Sequence, residues 1–412
     1  MIEPASGGDA GERLAVEPAV DYSTPLYTRD FWLVFAASFT LNSATNLFVL
    51  FPLFVMRLGG SASVIGVIMG TGWLAALMVR PAVGPGIDSF GRKWMVLWFL
   101  VLAAIATALY IPIASLGWPI LAVRALQGAA EGTARVALFA FVYEILPPGR
   151  EGEGMAIFSI CGMAPAALAP LIGEELIKRR GFGAFFAAAI ALYIVAAIAT
   201  LGVPDNRSRR VARPAIDPQV PSYTRMILDR GLMPLWIVTL LFSLALSSRL
   251  SFVAPWAYQE GIGRVGWYFA IYSGAAIALR LFSARGIDQV GPEKVLFPSL
   301  IVLSVGLAML ALIGHRGMLE VAALIGGVGH GYVYPSLSAL VIERSGQNAM
   351  GRSSAIYTSL YDFGAMAGPW ILGAMAEGIG YAWMFVASGT FALMAAVYFA
   401  RVEPGVLARR LG

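Results

Sequence analysis

The 412-residue chain has one cysteine, two histidines and only 13% charged residues. With Cys161 alone, no disulfide framework can form. One cysteine and two histidines also leave a structural zinc site short of ligands. Low charge beside 58% hydrophobic residues and a mean hydropathy of +0.75 excludes disorder, which needs the opposite balance. The same figures exclude a soluble fold, whose surface must be polar. No ten-residue alternating segments suggest a membrane barrel. No G-x-x-x-x-G-K-S/T phosphate loop is present, and no nucleophile–base or metal constellation marks an enzyme. Residues 1–30 lack the apolar core of a signal peptide; with Glu3, Asp9, Glu12, Glu17, Asp21 and Asp30 they read as a disordered cytoplasmic tail.

What the chain does have is a series of apolar runs long enough to span a bilayer, which takes roughly 20 residues. They fall at 31–55, 61–83, 93–114, 117–146, 152–176, 182–203, 231–257, 264–284, 294–314, 317–343, 352–377 and 380–400. The reading is an all-α membrane protein with twelve transmembrane helices. Placing both termini inside puts twenty of the 29 Lys and Arg in cytoplasmic segments and six outside, among them Arg80 and Arg280 on the inner side. The net charge of +5 is therefore a topology signal, and nothing calls for a nucleic-acid partner. The expected location is the cell's inner (plasma) membrane, multi-pass and monomeric, with both termini cytoplasmic.

Residues 204–230 form the longest polar interruption, with Pro214, Pro218 and Pro221. They read as a cytoplasmic linker between two six-helix bundles, 31–203 and 231–401, with 402–412 a second cytoplasmic tail. The halves repeat each other. At an offset of 200, Gly66 meets Gly266, Arg80 meets Arg280, Gly86-Ile87-Asp88 meets Gly286-Ile287-Asp288, and Gly91 meets Gly291. At 199, Gly128 meets Gly327, Glu131 meets His330, Glu144 meets Glu343, and Pro170 meets Pro369. Parallel repeats around a linker are a transporter architecture, with substrate held between halves that rock.

The loop after the second run reads Gly84-Pro-Gly-Ile-Asp88-Ser-Phe-Gly91-Arg92-Lys93. It matches G-x-x-x-D-x-x-G-R-K/R, and the chain over 31–401 thereby resembles the major facilitator superfamily. The second copy keeps Asp288 and Gly291 and loses the basic pair. A helix 4 motif, Arg124-Ala-Leu-Gln127-Gly128-Ala-Ala-Glu131-Gly132, is similar to the family's R-x-x-Q-G-x-x-x-G. Ala169-Pro170-Leu-Ile-Gly173-Glu174 is a degraded form of the helix 5 signature of drug:proton antiporters, the type the chain resembles. The resemblance implies a conformational latch built from Gly84, Asp88, Gly91, Arg92, Lys93, Asp288 and Gly291, which joins the halves in the outward-facing state. Two short glycine turns are expected in that loop.

Six groups able to carry charge lie well inside the expected helices: Arg124, Glu131, Arg135, Arg249, His330 and Asp362. Each, His less than the others, costs at least about 2.5–3.5 kcal/mol if unpaired at the membrane centre, so each should face protein or a watery cavity. The first helix of each successive triple is polar and the last apolar, so helices 1, 4, 7 and 10 line a cavity and 3, 6, 9 and 12 face lipid. The substrate cavity is expected to hold Asn42, Asn46, Arg124, Gln127, Arg135, Arg249, His330, Tyr334 and Tyr361. Glu131 and Asp362 are the proton-coupling candidates, since a carboxyl between desolvation and nearby Arg can load and release a proton. The alternatives are a static ion pair of Glu131 with Arg124 or Arg135, and for Asp362 a pair with Arg249 or a bond to a neighbouring helix. Glu174 and Glu175 are expected to be solvated at the outer end.

The expectation is a secondary active transporter without cofactor, driven by the proton gradient and exporting a small amphipathic organic compound by alternating access. Its partners are protons, the small-molecule substrate and the lipid bilayer. A proton-coupled importer of an organic anion or sugar, and a lipid or lysolipid flippase, are the alternatives.

Overall fold

The computed structural model describes residues 25–147, 149–204, 221–262, 264–315 and 317–403; residues 1–24, 205–220 and 404–412, which hold most of both expected tails and of the linker, lie outside it. Among the described residues the chain is helical, without strands. Twelve long helices run up and down in turn. The first six are α1 (Arg29–Arg57), α2 (Ala62–Phe90), α3 (Arg92–Ala108), α4 (Trp118–Ile145), α5 (151–180) and α6 (182–201). The second six are α7 (Met233–Gln259), α8 (Val265–Val290), α9 (Pro292–Leu312), α10 (Met318–Ser345), α11 (Met350–Ile379) and α12 (Tyr381–Val402). We call lower the end where the odd-numbered helices begin.

Six stretches pass on length and composition as membrane-crossing helices: α1, α2, α7, α9, α12, and a 51-residue stretch, Glu151–Leu201, that contains both α5 and α6. Val265–Leu281 of α8 is a shorter apolar helix, α3 has 17 residues, and α4, α10 and α11 carry embedded polar side chains such as Glu131, His330 and Asp362. α3, α6, α9 and α12 instead turn large apolar side chains outward, among them Trp98, Ile105, Ile198, Val305, Trp383 and Val397, as lipid-facing helices must.

Within the first half α1 packs on α5, α2 on α4, and α3 on α4 and α6. The second half repeats this, with α7 on α11, α8 on α10, and α9 on α10 and α12. The halves meet where α2 lies on α11 and α5 on α8. The repeat is also written in the backbone. Gly91 (φ 83°) and Gly291 (φ 88°) turn the chain before α3 and α9, and Gly181 (φ 76°) and Gly380 (φ 86°) do so before α6 and α12. Only glycine takes such angles without strain.

One expectation changes with depth consequences. The second helix does not end at 83 with two turns; α2 continues through Gly84-Pro85-Gly86 to Phe90, and only Gly91 turns. Membrane helices tolerate interior Pro and Gly because neighbours re-satisfy the freed backbone groups. Arg80 therefore stands ten residues, roughly 15 Å, above the end of its helix.

Candidate functional site

The embedded polar residues sort into three groups. The first lies inside the first half. On α4, Arg124, Gln127 and Glu131 are spaced i, i+3, i+7 and so share one face. The Arg124 guanidinium donates to Gln127 Oε1 (3.0 Å), Gln127 Nε2 donates to Glu131 Oε1 (2.9 Å), and Tyr110 Oη also donates to Gln127 Oε1 (2.9 Å). Tyr193 of α6 donates to Glu131. Phe48 and Phe51 hold the guanidinium under their rings, 5.6 and 5.4 Å from the centroids. Glu131 thus forms no ion pair with Arg124 or Arg135 among the described residues; Gln127 relays the charge between them. All of Arg124, Gln127 and Glu131 are buried.

The second group spans the halves. Asp362 of α11, buried, forms an ion pair with Arg80 of α2. Of the expected alternatives, the pair with Arg249 is not the one it makes; its bond goes to a neighbouring helix. Arg135 of α4, half-buried and with its Nε unpartnered, stands within electrostatic reach of Asp362, as do Tyr334 and Tyr361. The rings of Tyr334 and Tyr361 meet edge to face at 5.5 Å.

The third group lies in the second half. Arg249 of α7 is buried against the rings of Tyr272 (4.2 Å) and Phe269 (5.5 Å) of α8. Arg280 of α8 donates to the Gly331 carbonyl (2.8 Å) and approaches Met163 Sδ of α5 at 3.8 Å. His330 of α10 stacks loosely between Tyr272 and Phe242, at 5.6 and 5.8 Å. Asn42 and Asn46 on α1 bond to the backbone of their own helix, through Ser38 O and Asn42 O, both at 2.8 Å; no described bond ties them to the three groups.

Two six-helix bundles with matched glycine turns, meeting face to face with charged groups at mid-depth, bring the comparison with known proteins to a single family. The model of the Major Facilitator Superfamily matches residues 33–263 and again 235–411. The chain belongs to the major facilitator superfamily. It is 22% identical over 371 residues to the staphylopine export protein of Staphylococcus aureus (strain Mu50), covering 86% of this chain and 91% of that one. It is 23% identical over 391 residues to the multidrug resistance protein MdtG of Escherichia coli (strain SMS-3-5), covering 91% and 95%. Its fold matches the crystal structure of the nucleoside transporter NupG with a TM-score of 0.76, at 12% identity, over 91% of this chain and 99% of that one. As a member of the superfamily it is a multi-pass membrane transporter of a small molecule and not an enzyme.

In this superfamily member the basic pair of the loop motif bonds within its own half. Arg92 pairs with Glu144 of α4. Lys93 Nζ donates to the carbonyls of Leu201 (2.9 Å) and Val203 (2.6 Å), closing the C-terminal end of α6. Gly84 lies within α2, while Gly91 and Gly291 supply the turns. The side chains of Asp88 and Asp288 lie outside the described residues.

Four residues escaped the reading of the sequence. Arg80 and Arg280 were counted as cytoplasmic anchors, yet each reaches the seam between halves; their alignment at an offset of 200 was the available signal. Glu174, expected to be solvated, is buried, accepts from the Gly266 amide at the start of α8 and pairs with Lys178 (2.8 Å). Glu377 does the same for α2, accepting from Ser61 Oγ (2.7 Å) and the Ser63 amide (3.0 Å). Both carboxylates cap the N-terminus of a helix in the opposite half, where unpaired amides and the helix dipole favour an anion.

Proposed function

We propose that the protein is a proton-coupled exporter of a small amphipathic organic compound. It works by alternating access between the halves 31–203 and 231–401, with the 204–230 linker, the 1–30 and 402–412 tails and thus the lower end on the cytoplasmic side of the plasma membrane. Export is the activity named for two relatives, the staphylopine export protein and, as multidrug resistance, MdtG.

One observation carries the reading: the embedded carboxylate Asp362 belongs to one half and its guanidinium partner Arg80 to the other. The protonation state of Asp362 and the contact between halves are then a single variable. Ionised, Asp362 holds Arg80 and draws α11 onto α2. Protonated, it loses the charge that holds Arg80, and the seam is free to re-form. Tyr334 and Tyr361 lie within electrostatic reach of the carboxyl and are candidates for the proton's route. In the arrangement described, the upper end is joined by the Glu174 and Glu377 caps, so a proton leaving Asp362 departs toward the lower end, the direction antiport requires. Glu131, bonded by Gln127 and Tyr193, is the second proton site; its protonation would remove the negative charge to which Gln127 Nε2 and Tyr193 Oη now donate.

The test is transport in proteoliposomes of defined orientation. Substrate movement is expected to follow an imposed pH gradient and to stop when the gradient is collapsed. Asp362→Asn is expected to abolish gradient-driven transport while leaving substrate exchange. Transport indifferent to the gradient in the wild-type protein would overturn the reading.

A further inference from the structure

We propose that the second half carries a binding site for an organic anion, a carboxylate on an apolar, ring-bearing body, with Arg249, Arg280 and His330 as its polar wall. The proposal rests on the transporter reading and gives its cargo a chemical class. Its starting point is a charge that nothing among the described residues balances. Arg249 is only 8% exposed. Among the described residues it has no ion pair and no hydrogen bond, and its Nε is buried without a partner. Ring faces return only part of the cost of taking a cation out of water. Arg124 in the first half shows the contrast: it too lies under aromatic rings, but Gln127 accepts from it and Glu131 stands next in line.

Arg280 is in the same position as Arg249. Its described partners are a backbone carbonyl and a thioether, both neutral. Tyr272 lies 4.2 Å from the Arg249 guanidinium and 5.6 Å from the His330 ring, and Arg280 bonds to Gly331 beside His330, which makes one cluster of two guanidinia and a neutral imidazole. The Tyr268 and Tyr272 hydroxyls are buried there with no hydrogen-bond partner, two donors more. No described acid balances the group: Asp362 is taken by Arg80, and Glu260, Glu293, Glu320, Glu343, Glu377 and Glu403 stand near helix ends.

The internal repeat explains how this came about. Arg280 is the repeat partner of Arg80, at an offset of 200, and Met163 is the repeat partner of Asp362, at 199. Each arginine reaches across the seam to that same position of the facing half. One finds a carboxylate; the other finds Met163 Sδ. The missing second carboxylate leaves Arg280 available at the seam, where a mobile anion can take the acid's place and leave again when the halves separate. Tyr272, Phe242 and Tyr361, with rings 5.6 to 6.0 Å from His330 or from one another, form the apolar wall that selects a ring-bearing body.

Binding is measured on the full-length protein in nanodiscs, with no gradient, using 1-naphthoate, uncharged 1-naphthamide and cationic 1-naphthylmethylamine. Naphthoate is expected to bind at least tenfold more tightly than the other two. Arg249→Gln and Arg280→Gln are each expected to weaken naphthoate by tenfold or more, with Arg249→Lys recovering part of the loss. Met163→Asp restores the repeat's second acid opposite Arg280 and is expected to weaken naphthoate tenfold without removing any side chain that holds the site. Equal binding of amide or amine, no binding of naphthoate, or wild-type affinity in both Gln variants would overturn the proposal. Because no gradient is used, these outcomes are separate from proton coupling: charge selection can survive in a protein whose transport ignores the gradient, and the reverse.

Discussion

Asp362 and Arg80 are 282 positions apart in sequence and one bond apart in the fold. A buried ion pair is costly to break and cheap to remove whole, since a lone charge loses its partner but not its desolvation. Arg80→Gln and Asp362→Asn are therefore each expected to lower thermal stability in nanodiscs more than the double variant predicts by addition. The expected coupling energy is about 1–2 kcal/mol, reduced because Arg80 is a third exposed and water screens part of it. Additive effects would show that the pair carries no interaction of its own. Tyr193→Phe strips one donor from the buried Glu131 carboxylate and is expected to cost about 1.5–3 kcal/mol, read as a fall in the unfolding midpoint. At this scale the sequence was informative about which acids are embedded, because an Asp in the middle of an apolar run needs no tertiary knowledge to notice. It offered Arg249 for Asp362 and Arg124 or Arg135 for Glu131, where the fold supplies Arg80, and Gln127 and Tyr193. Arg249 and Arg80 are equally good partners for Asp362 on paper, and only helix depth and facing separate them.

The elements that make the upper seal are α2 against α11 and α5 against α8. Gly66 lets the Pro369 carbonyl lie directly on α2, where any side chain would collide, and a Cβ on Gly373 would stand 2.7 Å from the Ala62 carbonyl. Gly66→Val is expected to prevent this closure and to reduce transport by more than tenfold while leaving both bundles folded, since the contact lies between them. The Glu174 and Glu377 caps act at the same seam. Replacing both with Gln removes two anions from two helix N-termini and is expected to raise the open-above population severalfold. In a Cys161→Ser background, a cysteine introduced at Phe252, which lies beside Gly373, should then react faster with an impermeant reagent added from the upper side. Unchanged labelling would remove the caps from the mechanism. The helices themselves were legible from their apolar runs. The end of α2 was not, because Gly84, Pro85 and Gly86 are breakers in water and tolerated in a helix packed among others.

For the whole molecule, proton-driven export predicts that efflux from cells falls to the passive rate when the proton gradient is collapsed with ATP maintained. Residual efflux that follows ATP instead would contradict it. The number of helices, their apolar and polar sides, the doubling of the chain and the family are properties of composition, period and internal similarity. Each is local or additive along the chain, so sequence alone determined them. Which charges meet was decided by the tertiary structure. It depends on the depth at which each helix ends, the side it presents and the half it leans on, and none of these is a property of any one segment. Hence Asp362 could be found without coordinates, but not Arg80; and hence the shortage of charge read first in the composition ends as two seam arginines, one of them paired and the other waiting for an anion.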